Sequence, residues 1–197
     1  MTVAALDPRA RALLDLWFGA PGDPGREQPR AIWFERSDAF DTELRRLFGA
    51  DHHRAAAGEY DGWLATPEGA VALTLLLDQV PRNIHRGSPT AFASDAKARQ
   101  TARLALERGF DRALPAVWRW FLYLPFEHSE DTADQDRSVL LFRALPSSAE
   151  TDKIVDYAEQ HRDIIRRFGR FPHRNAVLGR RSTPEEDAFL RQPNSSF

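Results

Sequence analysis

From Ile154 to Phe168 apolar side chains return every three or four residues, as Ile154, Tyr157, Ala158, Ile164, Ile165 and Phe168, with His161 on the same stripe and Gly169 behind it. That period is the pitch of an α-helix with one buried face. No segment offers the competing alternation of a half-buried strand, and no Asn-Gly hairpin signal appears. The chain is therefore predicted to be all-α. Asp7-Pro8 reads as an N-cap with proline at the first helical position, ahead of the stripe Ala10, Leu13, Leu14, Trp17 and Phe18. After a Gly/Pro loop from Ala20 to Pro29, a second helix carries Phe40, Leu44, Leu47 and Phe48. Thr66-Pro67-Glu68 opens a third, apolar nearly all round through Leu77, which Pro81 is expected to end at Val80. An alanine-rich helix spans about 95–108, and Pro125 is expected to close the apolar segment Val117 to Leu124. An amphipathic stretch follows from Asp131 to Leu145. Ser147-x-x-Glu150 and Thr183-Pro184-x-Glu186 read as capping boxes. Short connections favour antiparallel helical hairpins or a bundle in one domain over residues 1–197, and no fixed repeat period emerges.

Composition removes several function classes. With 27 basic against 29 acidic residues and a formal charge of -2, no general attraction to nucleic acid or anionic membrane is expected. The absence of cysteine excludes disulfides, a thiolate nucleophile and iron–sulfur clusters. Asp7, Arg9 and Arg11 precede any apolar stretch, which argues against a signal peptide, and the apolar run Ala70 to Leu77 is too short to span a bilayer. These features predict a soluble, cytoplasmic globular protein. Only Lys97 and Lys153 are lysines; the other basic residues are arginines, whose planar forks suit carboxylate and phosphate where they cluster.

Three segments break local rules, which is where function or strain is expected. Asp78-Gln79-Val80-Pro81-Arg82-Asn83 puts a carboxylate directly after an apolar run, where it needs a cation such as Arg82, Arg86 or a distant arginine. Pro125-Phe126-Glu127-His128-Ser129-Glu130 begins a stretch to Asp136 with five carboxylates and no Lys or Arg. His161 to Arg181 is the complement, with seven arginines and one acid, centred on Gly169-Arg170-Phe171-Pro172-His173-Arg174-Asn175. One reading folds this arginine arm onto the carboxylates as paired scaffold. The other keeps arginines in a cleft as a receptor for an anion. In either case the three motifs are expected to meet in one polar cluster.

These three motifs, in this order and spacing, resemble the bacterial domain-of-unknown-function family 924 over about residues 13–190. The resemblance implies an all-helical, TPR-like superhelix or irregular bundle and implies no reaction. Two positions depart from the family pattern. Val80 stands where phenylalanine is usual, and His85 where an aromatic ring is common, so His85 is not carried over as a site residue.

The residues expected to form a ligand site are Asp78, Gln79, Arg82 and Asn83 from the first motif and Glu127, His128 and Glu130 from the second. To these are added His161, Arg170, His173, Arg174 and Asn175. Glu127, His128 and His173 are the acid–base candidates. His161 reads either as a core histidine or as a site member, and His52 and His53 read as surface residues. A metal would need His128, His161 or His173 to converge with Glu127, Glu130 or Asp78; no His-Glu-x-x-His spacing is present, and no metal or cofactor is assigned. Ser129 beside His128 lacks a Gly-x-Ser-x-Gly frame, and neither a P-loop nor a Rossmann glycine pattern appears. The tryptophans at 17, 33, 63, 118 and 120 read as core or groove walls. The expected partner is a small anionic molecule, bound with or without catalysis. The alternative is a TPR-like module gripping a peptide, for instance by its terminal carboxylate, with the motifs serving as a structural salt-bridge cluster.

Overall fold

The computed structural model describes residues 5–193 and 195. Residues 1–4, 194, 196 and 197, which the expected 1–197 domain includes, lie outside the described residues. The chain divides into two compact units, residues 1–86 with 90–125, and residues 87–89 with 126–197. Among the described residues every regular element is helical.

In the first unit, α1 (Pro8–Phe18) starts where Asp7 accepts the Arg9 N–H at 2.7 Å, with Pro8 in the first turn. Its stripe Ala10, Leu13, Leu14, Trp17 and Phe18 is fully buried. Phe18 stacks on Trp118 with ring centroids 4.2 Å apart, and Trp17 and Phe18 meet Phe121 edge-on at 5.5 and 5.4 Å. Such aromatic pairs add about 0.5–1.5 kcal/mol each beyond area burial. All five tryptophans are buried. α2 (Asp38–Ala56) begins at Ser37, which accepts the Phe40 N–H, and runs unbroken through Gly49.

The third helix does not stop at Val80. α3 (Pro67–Thr74) passes through a π-turn at Leu75–Gln79 into α4 (Val80–Ile84). The wider turn lets the Val80 N–H reach back to the Leu75 carbonyl. Pro81 cannot supply the N–H that the Leu77 carbonyl would otherwise accept. The Ser94 hydroxyl supplies it instead, at 2.6 Å. α5 (Asp95–Glu107) follows.

α6 (Ala116–Glu127) likewise continues past Pro125, with Phe126 fully buried and Glu127 4% exposed. Burial of that last turn outweighs the one hydrogen bond that proline forfeits. In the second unit, α7 (Thr132–Arg143) is capped by Asp131, which accepts from the Ala133 and Asp134 N–H groups. α8 (Ala149–Phe168) is capped by Ser148, one residue later than expected, because it is Ser148 Oγ that accepts the Thr151 N–H at 3.1 Å. The pairs Arg143–Glu159 and Arg166–Asp136 cross between α7 and α8 in antiparallel order. The predicted stripe packs inward through Ile154, Ala158, His161, Ile164 and Ile165, whereas Tyr157, expected on it, is exposed. Gly169 then leaves the helix at φ 69°, a left-handed backbone that suits glycine, and aims the chain back toward Phe171. α9 (Pro184–Leu190) opens on the predicted capping box, Thr183 and Glu186 each accepting the other's backbone N–H.

Candidate functional site

The second unit brings the second and third motifs together. Glu130 accepts the Phe171 N–H at 2.8 Å and holds both ends of the Arg180 guanidinium at 2.7 and 2.9 Å. Arg180 also donates to Asn175 Oδ1 and to the Phe171 carbonyl, both at 3.0 Å. Burial pushes the Glu130 carboxyl up, but Arg180, the Phe171 N–H and the Arg174 charge outweigh it and hold it below the usual range. Arg170 grips Glu186 through two bonds of 2.6 and 2.7 Å and donates to the Arg181 carbonyl at 2.9 Å. The hydrogen bond from Arg170 holds the Glu186 carboxyl down to about 2. Asn175 Nδ2 reaches Ser182 Oγ at 3.1 Å and Glu186 at 3.3 Å, tying the two ion pairs into one lattice.

Beside that lattice lies a histidine group. Arg174, 6% exposed, donates from Nη1 to the His128 carbonyl at 3.0 Å and lies over the Phe171 ring at 4.4 Å. His161 and His173 flank the same ring, with centroids 5.5 and 5.6 Å from it, and the His128 and His161 rings are 6.5 Å apart. His161 Nδ1 faces the Tyr157 carbonyl at 2.8 Å and Glu127 Oε1 at 3.3 Å. Burial drives His161 down to about 3 and His173 down to about 4, so both are neutral imidazoles at neutral pH. A neutral His161 donates its Nδ1–H to Tyr157. Ser129 Oγ donates to Asp134 at 2.9 Å. That commits its single hydroxyl proton away from His128.

The first motif makes the following contacts within the first unit. Asp78, 1% exposed, takes Arg82 Nη1 at 3.1 Å and Gln79 Nε2 at 2.6 Å. Arg82 is shared with Asp95 through two 3.0 Å bonds. Arg86 pairs with Asp41 at 2.6 Å and touches Asn83 Oδ1 at 3.2 Å. Arg82, one of the cations the sequence offers Asp78, lies one helical turn away and pairs with it.

Several residues of interest escaped the sequence. Glu186 is legible as a cap but not as the counterion of Arg170. His52 is buried at 3% exposure, not on the surface, because it follows Leu44 and Phe48 on the inward stripe of α2. His53 is exposed as expected. Among the described residues, His52, His53 and His85 each bring one ring nitrogen within 4.8 Å of the others. No helix of the described residues is long and apolar enough to cross a membrane.

Comparison with known proteins matches this arrangement to proteins of unassigned role. A solved structure of a protein of unknown function from Agrobacterium tumefaciens is 43% identical, covers 92% of this chain and 96% of its own, and superposes with a TM-score of 0.81. No curated protein matches. The profile of the family described as "Bacterial protein of unknown function (DUF924)" spans residues 13–194, taking in all three motifs, and the chain belongs to that family.

Proposed function

We propose that the second unit binds a small anion, a carboxylate or phosphate, on the open wall formed by the turn between Arg174 and α9. The observation that carries this reading is a depression of ≈ 730 Å³ lined by Arg180, Arg181, Ser182 and Thr183, with Ala176, Pro184 and Asp187 completing it. The Arg181 guanidinium and the hydroxyls of Ser182 and Thr183 on one wall are the donors such a ligand requires, with the Arg180 charge behind them. In this reading the Glu130–Arg180 and Arg170–Glu186 pairs are its frame. They fix the backbone of residues 170–183, and Arg181, exposed and with its carbonyl tied to Arg170, presents the ligand-facing charge. Asp187 on the same wall repels a second negative group, so a ligand with one anionic end and a hydrogen-bond donor fits better than a polyanion. The peptide-groove alternative draws less support. Large exposed apolar side chains among the described residues are Phe34, Leu140, Tyr157 and Leu178, single residues on separate segments.

The test is anion-dependent stabilisation. Phosphate, acetate or glycine at millimolar concentration should raise the thermal midpoint above a chloride control of equal ionic strength. An anion present at a hundredfold its Kd stabilises by about 2.7 kcal/mol. Arg181→Ala should leave the anion-free midpoint within about 0.5 kcal/mol of the parent, as an exposed substitution does, and should abolish the anion effect. No response from either anion or from the glycine carboxylate, or a response that survives Arg181→Ala, overturns the reading.

A further inference from the structure

We propose that His52, His53 and His85, in the first unit, form a three-histidine site for a divalent transition metal, with zinc(II) the best match to the donor set. One ring nitrogen from each lies within 4.8 Å of the other two, and the ring centroids are 5.4, 5.8 and 6.3 Å apart. Ligand nitrogens around tetrahedral zinc, at bonds of 2.0–2.1 Å, stand about 3.3 Å apart. His53 is exposed near the end of α2, so its ring has room to approach the other two, and binding requires the three nitrogens to draw together from within 4.8 Å, with a fourth position toward solvent.

The stronger argument is the state of the buried nitrogens. Ser94 Oγ has one proton, and at 2.6 Å from the Leu77 carbonyl it donates that proton there, replacing the N–H that Pro81 lacks. The same oxygen stands 3.1 Å from His52 Nε2, so it accepts, and the His52 proton must be on Nε2. That fixes the tautomer and leaves the lone pair on Nδ1. His52 Nδ1 is buried and has no hydrogen-bond partner among the described residues, and the same holds for His85 Nε2. Two buried ring nitrogens without partners, one of them fixed as an acceptor, beside a third imidazole cost stability unless something fills them. A metal ion uses such lone pairs, and metal-bound histidine characteristically donates its other ring N–H to a fixed oxygen, as His52 does to Ser94.

Electrostatics bear on the choice of ligand. Burial, reinforced by the neighbouring rings, lowers His52 to about 4, and burial with the charges of His53 and Arg45 lowers His85. Both shifts run toward the neutral ring that coordination requires. His53 lies in the last turn of α2 and His85 caps α4, so two helix C-terminal ends favour a cation there. The Arg45 guanidinium, bound to the Ile84 carbonyl, opposes it. Three neutral nitrogens without a carboxylate suit zinc(II), cobalt(II), nickel(II) or copper(II) and not magnesium or calcium.

Chelator-treated full-length protein should take up one zinc ion per chain by isothermal titration. Its cobalt(II) form should show the visible absorption of a four-coordinate nitrogen site. His53→Ala, an exposed substitution, should keep the metal-free circular dichroism spectrum and weaken zinc binding at least tenfold, as should His85→Phe, which retains the ring volume. Ser94→Ala, which removes the positioning hydroxyl and also the donor to the Leu77 carbonyl, should weaken it about tenfold while the circular dichroism spectrum reports any loss of fold. Zinc uptake unchanged in both His53→Ala and His85→Phe, or no uptake by the parent at 100-micromolar zinc (an order-of-magnitude ceiling, about 10⁻⁴ M), overturns the proposal.

Discussion

Arg174→Ala is expected to cost about 3 kcal/mol of folding stability, and so to lower the thermal midpoint by about 6–12 °C for a chain of this size. Arg174 is 6% exposed, and its guanidinium is bound into the second unit at one face of its plane and at its edge. Nη1 holds the His128 carbonyl at 3.0 Å, and the plane covers the Phe171 ring at 4.4 Å. Its charge also helps keep Glu130 ionised beside Arg180. Alanine removes all three contributions together, exposing or emptying the space over a fully buried phenylalanine and leaving a carbonyl in need of a donor. Lysine should recover little of the loss, because a compact ammonium cannot lie flat on the ring and reach the carbonyl at once. Urea unfolding of the three proteins measures this. A loss under about 1 kcal/mol would place Arg174 outside the scaffold. Comparison with Arg181→Ala is informative, since the two arginines are seven residues apart and only the first is buried.

The contrast between these two arginines shows what a sequence can and cannot reveal. Periodicity reports which side of a helix is buried, because the pitch is a property of the backbone, and the Ile154–Phe168 stripe was accordingly legible. So was Arg82 as a partner for Asp78, since residues four apart on a helix face each other. Position His52 carried the same signal, four residues after Phe48, but its polar and alanine neighbours on the chain masked it. What periodicity does not report is partners supplied from a distance. Pro81 reads as a helix end by every local rule. It is overruled by a hydroxyl thirteen residues downstream that no local pattern connects to Leu77. Glu186 declares itself as a cap three residues after Thr183. Its second role, as counterion to Arg170 sixteen residues earlier, exists only once the turn at Phe171–Arg174 has folded the chain back. Exposure inside the arginine-rich segment is likewise set by that turn, so seven similar arginines divide into buried, paired and solvent-facing ones without any mark in their spacing.

Stability should be nearly flat above pH 7 and should fall steeply as pH drops below about 6.5, because of the buried histidines. His52 and His173 are lowered to about 4 and His161 to about 3, in each case first by burial. Unfolded, each returns to an ordinary value near 6.5. Between those limits the unfolded state binds protons that the native state refuses, so each histidine contributes stability that is present above the unfolded pKa and lost as pH falls toward the folded one. The slope approaches about 1.4 kcal/mol per pH unit for each histidine. The depressed carboxylates act elsewhere. Glu186, held to about 2, and Glu130 are half titrated near pH 4.5 in the unfolded chain, so most of their loss comes below about pH 5.5. Between about pH 6.5 and 5.5 the slope is therefore set mainly by the lowered imidazoles, His85 among them. His161→Gln separates one of them: the amide can still donate to the Tyr157 carbonyl but has no proton to take up. Whatever the variant does to stability at pH 8, the dependence of its unfolding free energy on pH over this window should be shallower than the parent's by about one proton. An unchanged slope would mean that His161 accepts a proton in the native state, and that Glu127, 3.3 Å away, is holding it there as an ion pair.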